Sequence, residues 1–272
     1  MALSSNERSF LFVPGDRPER YLKALDTPAD RVIIDLEDAV LPDAKAQARE
    51  TLARWLAGPD ARDIAVRINS AGSDWHEADL ALVAGNPRVV GVMLPKADRK
   101  ADIEAVAARL APHQSLIALV ETIRGYLDLR QFAGARGLAR LAFGSVDFCA
   151  ETGIRGLGME LDAVRTELVI VSRAHGLAPP VEGVTIAVKD AELLGIDIDR
   201  ARRFGFGGKL CIHPSQVEAV NTGFSATPQE IDWAHRVIAA AAQGGAVTVD
   251  GKLVDKPVVD LAEKLLASVR AS

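Results

Sequence analysis

Cysteine is nearly missing from this chain of 272 residues: Cys149 and Cys211 are the only two. They lie far apart and form neither a C-x-x-C pair nor a zinc-finger spacing. Both are read as buried thiols in a reducing, cytoplasmic setting. Histidine is scarce too, with His76, His113, His175, His213 and His235 scattered and not clustered as zinc requires. His213 alone ends a strand-like run, and with Pro214 and Ser215 behind it, it reads as a turn residue more than a base. No apolar run approaches the roughly 18 residues that span a membrane, and the opening MALSSNERSF lacks the shape of a signal peptide. Basic residues give no excess: 32 stand against 37 acidic ones, for a net charge of -5, and no basic stripe interleaves with aromatics. Nucleic acid is therefore not the expected partner.

What is present is an alternation of short apolar runs and longer helical patterns. Strands are expected at residues 9–13, 32–36, 64–68, 89–94, 116–121, 138–143, 180–184 and 208–212. Helices are expected between them at 18–25, 43–56, 75–83, 100–110, 125–132, 162–175 and 190–204, with an eighth near 215–222. Pro42 and Asp43 mark one helix start and Gly58 follows its end. The strands are rich in Val, Ile and Leu, as when both faces of a parallel sheet are covered. Eight such units in roughly 250 residues define a TIM barrel. A doubly wound open sheet is the alternative, but FVPGDRPER after the first strand is not a G-x-G-x-x-G turn. The barrel is assigned residues 1–222. Residues 223–272 form a C-terminal extension of two helices around a hairpin at Asp250-Gly251, packing on the barrel or on a neighbouring subunit.

Active sites of TIM barrels lie at the C-terminal ends of the strands. Strand two ends in RVIIDLEDAV, with Asp35, Glu37 and Asp38 inside four positions. Strand three carries Arg67 and Asn69, strand four runs into Lys96, strand five ends in Glu121, strand six in Asp147 and strand seven in Glu182. Any one of these suits a solvated turn or a helix cap. Arg67, Glu121 and Asp147 stand out because each follows an apolar run that leaves little room for exposure. Glu121 and Asp147 are hard oxygen donors from neighbouring strands, a pair suited to Mg²⁺ with waters and a chelating substrate. Arg67 has the fork for a carboxylate, or it pairs inside the barrel with the acids of strand two. Lys96 and Lys209 raise a Schiff-base aldolase as a further alternative, which needs a desolvated lysine of depressed pKa.

In these stretches the chain resembles the citrate lyase beta-subunit-like branch of the HpcH/HpaI aldolase family. RSFLFVPGDRPERYLKAL, DRVIIDLEDAV, VRINS, VMLPKAD, LIALVETIRGYLDL, LAFGSVDFCAETG, PPVEGV and KLCIHPSQVEAVN carry the resemblance in order, and DGKLVDKPVVDLAEKLLA extends it to the tail. The resemblance implies Mg²⁺-dependent cleavage or formation of a carbon–carbon bond in a citryl-, citramalyl- or malyl-thioester of coenzyme A or an acyl carrier. It implies Glu121 and Asp147 as metal ligands and Arg67 as the group that binds the oxo-acid carboxylate. Gly144 and Ser145 would position that fragment, Arg20 and Lys23 would meet the CoA phosphates, and Asp255 would handle protons from a neighbouring subunit of a trimer or hexamer. Glu37 and Asp38 are expected to hydrogen-bond metal-bound waters or Arg67, and Asp35 to pair with a basic neighbour. If all three also ligated the ion, about two of five negative charges would stay uncompensated in low dielectric. The competing readings are an aldolase on free 2-oxo acids, thioester hydrolysis at the same site, and a non-catalytic subunit of a larger complex.

Overall fold

The computed structural model of the chain describes residues 6–242 and 247–269. Eight parallel strands close into a barrel in sequence order: β1 (Ser9–Pro14), β2 (Arg31–Asp35), β3 (Ile64–Arg67), β4 (Val89–Leu94), β5 (Ser115–Val120), β6 (Leu138–Phe143), β7 (Ala178–Glu182) and β8 (Gly208–Cys211). Helices α1 (Tyr21–Leu25), α2 (Lys45–Leu56), α3 (His76–Val83), α4 (Lys100–Ala107), α5 (Ile123–Phe132), α6 (Ser145–Thr152), α7 (Asp162–Ala174), α8 (Ala191–Phe204) and α9 (Val217–Gly223) alternate with them. This is a TIM barrel, and every strand starts and ends within two residues of its expected position. Helix α6 is the element that hydrophobic periodicity did not reveal. Cys149 lies on it and is half-buried, so the expectation of two buried thiols holds for Cys211 alone.

Strand side chains alternate between the barrel interior and the helical layer. The interior is filled by Phe10, Ile33, Ala65, Met93, Ile117, Leu119, Ala142, Val181 and Leu210. Stepping two residues along each strand from this core reaches Phe12, Asp35, Arg67, Glu121 and Gly144. Alternation therefore aims these residues at the C-terminal mouth. At the opposite end, Arg140 is fully buried, lies 5.1 Å from the Phe10 ring and donates to the carbonyls of Pro179 (2.6 Å) and Glu7 (2.9 Å). Burial pulls its pKa down to about 10. The barrel floor is thus closed by a cation whose partners are mainly backbone oxygens.

Contacts divide the chain into two compact units, residues 1–221 and 222–272. Within the second, α10 (Pro228–Ala241) and α11 (Lys256–Ser268) bury Ala234, Val237 and Ala262 together with Val249 of a hairpin, β9 (Val247–Val249) and β10 (Lys252–Val254). The hairpin turns at Asp250 and Gly251, both at positive φ (53° and 75°), the conformation that tight two-residue hairpins require. Thr227 and Glu230 form a reciprocal capping box on α10. The expected helix ends at residues 243–245 and near Arg270, and residues 1–5 of the N-terminal segment, lie outside the described residues.

Candidate active site

The mouth of the barrel holds a cavity of about 410 Å³. Its floor is apolar, with Phe12, Leu119, Val184 and Leu210 continuing the barrel core upward. Its wall carries Asp35, Asp38, Arg67, Glu121, Gly144, Ser145 and Asp147. The structure therefore brings the expected residues of strands two, three, five and six into one pocket.

Parallel register sets Asp35 directly beside Arg67. Arg67 donates from Nε to Asp35 Oδ1 (2.7 Å) and from Nη2 to Asp35 Oδ2 (2.6 Å), a bidentate pair. Asp35 also accepts the backbone N–H groups of Glu37 (2.9 Å) and Ala39 (3.0 Å), so it shapes the loop that follows it. Of the open alternatives for Arg67, pairing with strand-two acids is what the structure holds. Its Nη1 edge faces Glu37 at 3.3 Å and Asp38 at 3.8 Å, and its guanidinium carbon lies 4.8 Å from the Phe12 ring. Burial opposes the Arg67 charge, but Asp35 holds its pKa above the ordinary value.

Glu37 is buried and bridges Arg67 to the Lys96 ammonium. Burial raises its carboxyl above the usual range against the pull of those two cations. Burial works to lower Lys96, yet Glu37 more than offsets it and the ammonium is held above its usual value. That is the reverse of what a Schiff-base nucleophile needs. Lys209 does have a depressed pKa from burial, but it donates to the Gly183 carbonyl (2.5 Å) and does not line the pocket. The lysine–imine alternative therefore has no support in the site.

Lys96 has a second role through its backbone. It sits at φ 48°, a left-handed conformation that costs a residue other than glycine of order 1–3 kcal/mol. In that conformation its N–H reaches Glu121 Oε1 at 2.8 Å. The other oxygen, Glu121 Oε2, is buried with no hydrogen-bond partner among the described residues. Burial, reinforced by the charge of Glu37, pushes the Glu121 carboxyl up to about 8. An orphaned, buried carboxylate oxygen is costly unless a ligand completes it. Asp147 adds its charge to Glu121, but it differs from expectation in two ways. It lies in the first turn of α6 instead of ending strand six, and it is exposed. The acid is thus presented by a helix start whose first residues, with Gly144 before them, line the same pocket.

Gly144 precedes α6 and lies against Glu121, where a Cβ would collide with the Glu121 side chain. Gly144→Ala is expected to lower stability by about 1–3 kcal/mol through this overpacking, as read by urea denaturation. An unchanged midpoint would show that Glu121 can move aside freely.

The partners of several supporting residues were not legible beforehand. Buried Lys45 donates to the carbonyls of Leu36 (3.0 Å) and Glu37 (2.8 Å), under the face of Trp75. Asn69 donates to the Leu36 carbonyl (2.9 Å) and to Asp79 (2.6 Å). Glu182 is drawn into a buried ion pair with Arg165 (2.7 Å), whose guanidinium also holds the Leu157 and Gly158 carbonyls. Arg20 and Lys23 are exposed on the segment after β1, with Arg20 3.9 Å from Glu19. Asp255 lies in the second unit and caps α11, accepting the Val258 N–H at 3.2 Å. His213 forms a turn with Ser215, as expected.

A TIM barrel whose mouth joins a buried, half-satisfied Glu to an exposed Asp and a clamped Arg defines a class of oxygen-ligand sites. The family model described as HpcH/HpaI aldolase/citrate lyase matches residues 8–214, and the chain belongs to this family. It is 37% identical to a (3S)-malyl-CoA thioesterase of Cereibacter sphaeroides, over 97% of this chain and 95% of that protein. The crystal structure of CitE from Mycobacterium tuberculosis in complex with magnesium, acetoacetate and coenzyme A superposes with a TM-score of 0.84 at 33% identity, over 97% of this chain and 99% of that one. A citrate lyase beta subunit from M. tuberculosis complexed with oxaloacetate and magnesium superposes at 0.72 and 32% identity, over 82% and 99%.

Proposed function

We propose that the chain is a Mg²⁺-dependent carbon–carbon lyase. It would cleave a 3-hydroxy carboxyacyl thioester, such as citryl-, citramalyl- or malyl-CoA, into an acyl thioester and a 2-oxo acid. The observation that carries this reading is the orphaned Glu121 Oε2, buried beside Asp147 in the pocket. Among the described residues no group of three or more His, Cys, Asp or Glu side chains is placed to hold a metal. Two hard carboxylates therefore leave the remaining positions to water and a chelating substrate, which suits Mg²⁺. When bound, the ion supplies Lewis-acid polarisation of the substrate's hydroxyl and carboxylate oxygens.

In the proposed cleavage the substrate hydroxyl gives its proton to water and becomes the oxo-acid carbonyl. The bond to the thioester α-carbon breaks, and that carbon takes a proton. Arg67, fixed by Asp35, holds positive charge beside the oxo-acid carboxylate. The backbone at Gly144 and Ser145 orients that fragment. Glu37 and Asp38 keep Arg67 and Lys96 in place and would hydrogen-bond waters held by the ion. Arg20 and Lys23 offer cations to the CoA phosphates. Asp255, brought by a neighbouring subunit of a trimer or hexamer, would deliver the proton to the α-carbon. The absence of any described helix long and apolar enough to cross a membrane fits a cytoplasmic enzyme.

The likeness to a malyl-CoA thioesterase favours a second reading, in which water attacks the thioester carbonyl. The purified chain with Mg²⁺ and the three thioesters separates the two. A lyase releases oxo-acid and acyl-CoA; a thioesterase releases free CoA and the intact hydroxy acid. No oxo-acid from any thioester would overturn the lyase reading.

Because the Glu121 carboxyl titrates near 8 in the metal-free protein, ion uptake must displace its proton. Apparent Mg²⁺ affinity is expected to fall about tenfold per pH unit below 8 and to level off above it. Calorimetry in buffers of different ionisation enthalpy should count about one proton released at pH 6.5.

A further inference from the structure

We propose that Lys96 is a positioning residue that joins the two halves of the site. Its ammonium, tied to Glu37, holds a left-handed backbone whose N–H aims the free oxygen of Glu121 at the ion. This rests on Glu121 as a ligand, and so on the metal site of the lyase reading. The two halves stand on different strands. One is the chain of pairs that runs from Asp35 through Arg67 to Glu37 and ends on the Lys96 ammonium. Asp38 lies 3.8 Å from the same nitrogen. The other half is Glu121. Its Oε1 accepts the Lys96 backbone N–H at 2.8 Å, while Oε2 is buried without a partner among the described residues. Lys96 touches both halves, one through its side chain and one through its backbone.

The backbone between these two contacts is fixed on either side. Ala97, next in the chain, is buried and donates its N–H to the Leu119 carbonyl of β5 (3.2 Å). The Ala97 carbonyl packs so closely on Gly125 that a Cβ there would lie 2.7 Å from it. Between this anchor and β4, which ends at Leu94, Lys96 cannot leave φ 48° for the negative φ that residues other than glycine favour without re-aiming its N–H and its Cβ. The N–H would come off Glu121, and the ammonium would leave a buried carboxylate, so the pair with Glu37 opposes the change. Gly144 closes the other side of Glu121, where a Cβ would lie 2.4 Å from the Glu121 Cβ. The Glu121 carboxyl is thus set by one wall and one donor, and the donor depends on the conformation of Lys96.

Charge makes the test one of sign. Lys96 is a cation beside the acids that would hold a cation, so electrostatics alone predicts tighter Mg²⁺ binding once its charge is removed. A positioning role predicts weaker binding. Lys96 is exposed, so its replacement opens no cavity in the core. The full-length chain is titrated with Mg²⁺ by calorimetry, apart from turnover. Lys96→Met, which has no ammonium and disfavours the left-handed backbone, is expected to bind Mg²⁺ at least about fivefold more weakly than wild type, the left-handed cost expressed as affinity. Lys96→Gly, equally uncharged but at ease with positive φ, is expected to match or exceed wild type. Lys96→Met binding as tightly as wild type, or more tightly, overturns the inference, as does Lys96→Gly binding no more tightly than Lys96→Met. A wild type that binds no Mg²⁺ overturns it together with the metal site of the lyase reading. The expected order of affinities with no thioester cleaved by wild type would support the inference while the lyase reading falls. Thioester cleavage by wild type, with Mg²⁺ binding undiminished in Lys96→Met, would leave that reading standing and refute the inference.

Discussion

Glu121→Gln should lower Mg²⁺ affinity by at least about 100-fold, since even groups one bond removed from a metal ligand cost about 10–100-fold. Turnover should fall with it. The same substitution has an opposite effect on the metal-free protein, and the sign follows from the raised pKa. A carboxyl that titrates near 8 when folded and near 4.3 when unfolded favours the fold while protonated. That contribution is intact below about pH 4 and is lost progressively as pH rises to 8. Metal-free wild type should therefore lose a few kcal/mol between pH 5 and 8 that Glu121→Gln, permanently neutral, retains. Urea denaturation at both pH values, with and without Mg²⁺, reads all four states. If the variant is the less stable one at pH 8 without metal, Glu121 is not a strained carboxylate awaiting an ion.

Arg67→Met should lose about 3–5 kcal/mol of stability, the usual cost of stranding one member of a buried ion pair. Asp35 is 1% exposed and would keep its charge with two backbone donors only. Arg67→Lys should recover part of the stability but little of the activity, because an ammonium cannot fork onto both oxygens of Asp35. A loss under about 1 kcal/mol for Arg67→Met, by the same denaturation measurement, would show that Asp35 takes up a proton or a water at little cost.

The eight strands were legible because parallel, doubly covered strands read as compact runs of Val, Ile and Leu, and their ends fell where those runs stop. The site was legible as far as alternation carries it: Asp35, Arg67 and Glu121 are reached by stepping in twos along the strands. Asp147 was found as a residue but misplaced, because α6 is only eight residues long and directly follows Gly144. A short helix after a glycine shows too little periodicity to be told from a turn. Lys45 and Asp79 were not legible at all, and Asn69 only as a polar residue at the end of strand three. Lys45 and Asn69 donate to loop carbonyls and Asp79 accepts from Asn69 and Arg49, a matter of tertiary packing that no local pattern encodes. The contact of the Lys96 backbone N–H with Glu121 was hidden for a different reason: it is made from a left-handed backbone at a lysine, where local preference argues against one.

The stacking of Trp75 over Lys45 has an optical consequence. Lys45 Nζ lies 5.1 Å from the Trp75 ring centre and holds the carbonyls of Leu36 and Glu37. A displacement of the acidic loop therefore shifts a charge beside an indole and should change its emission. The chain's other two tryptophans, Trp55 packed on Tyr21 and Trp233 on α10, lie outside this cluster. A chain carrying Trp55→Phe and Trp233→Phe would report motion of the acidic loop as a single-fluorophore signal, with no label attached.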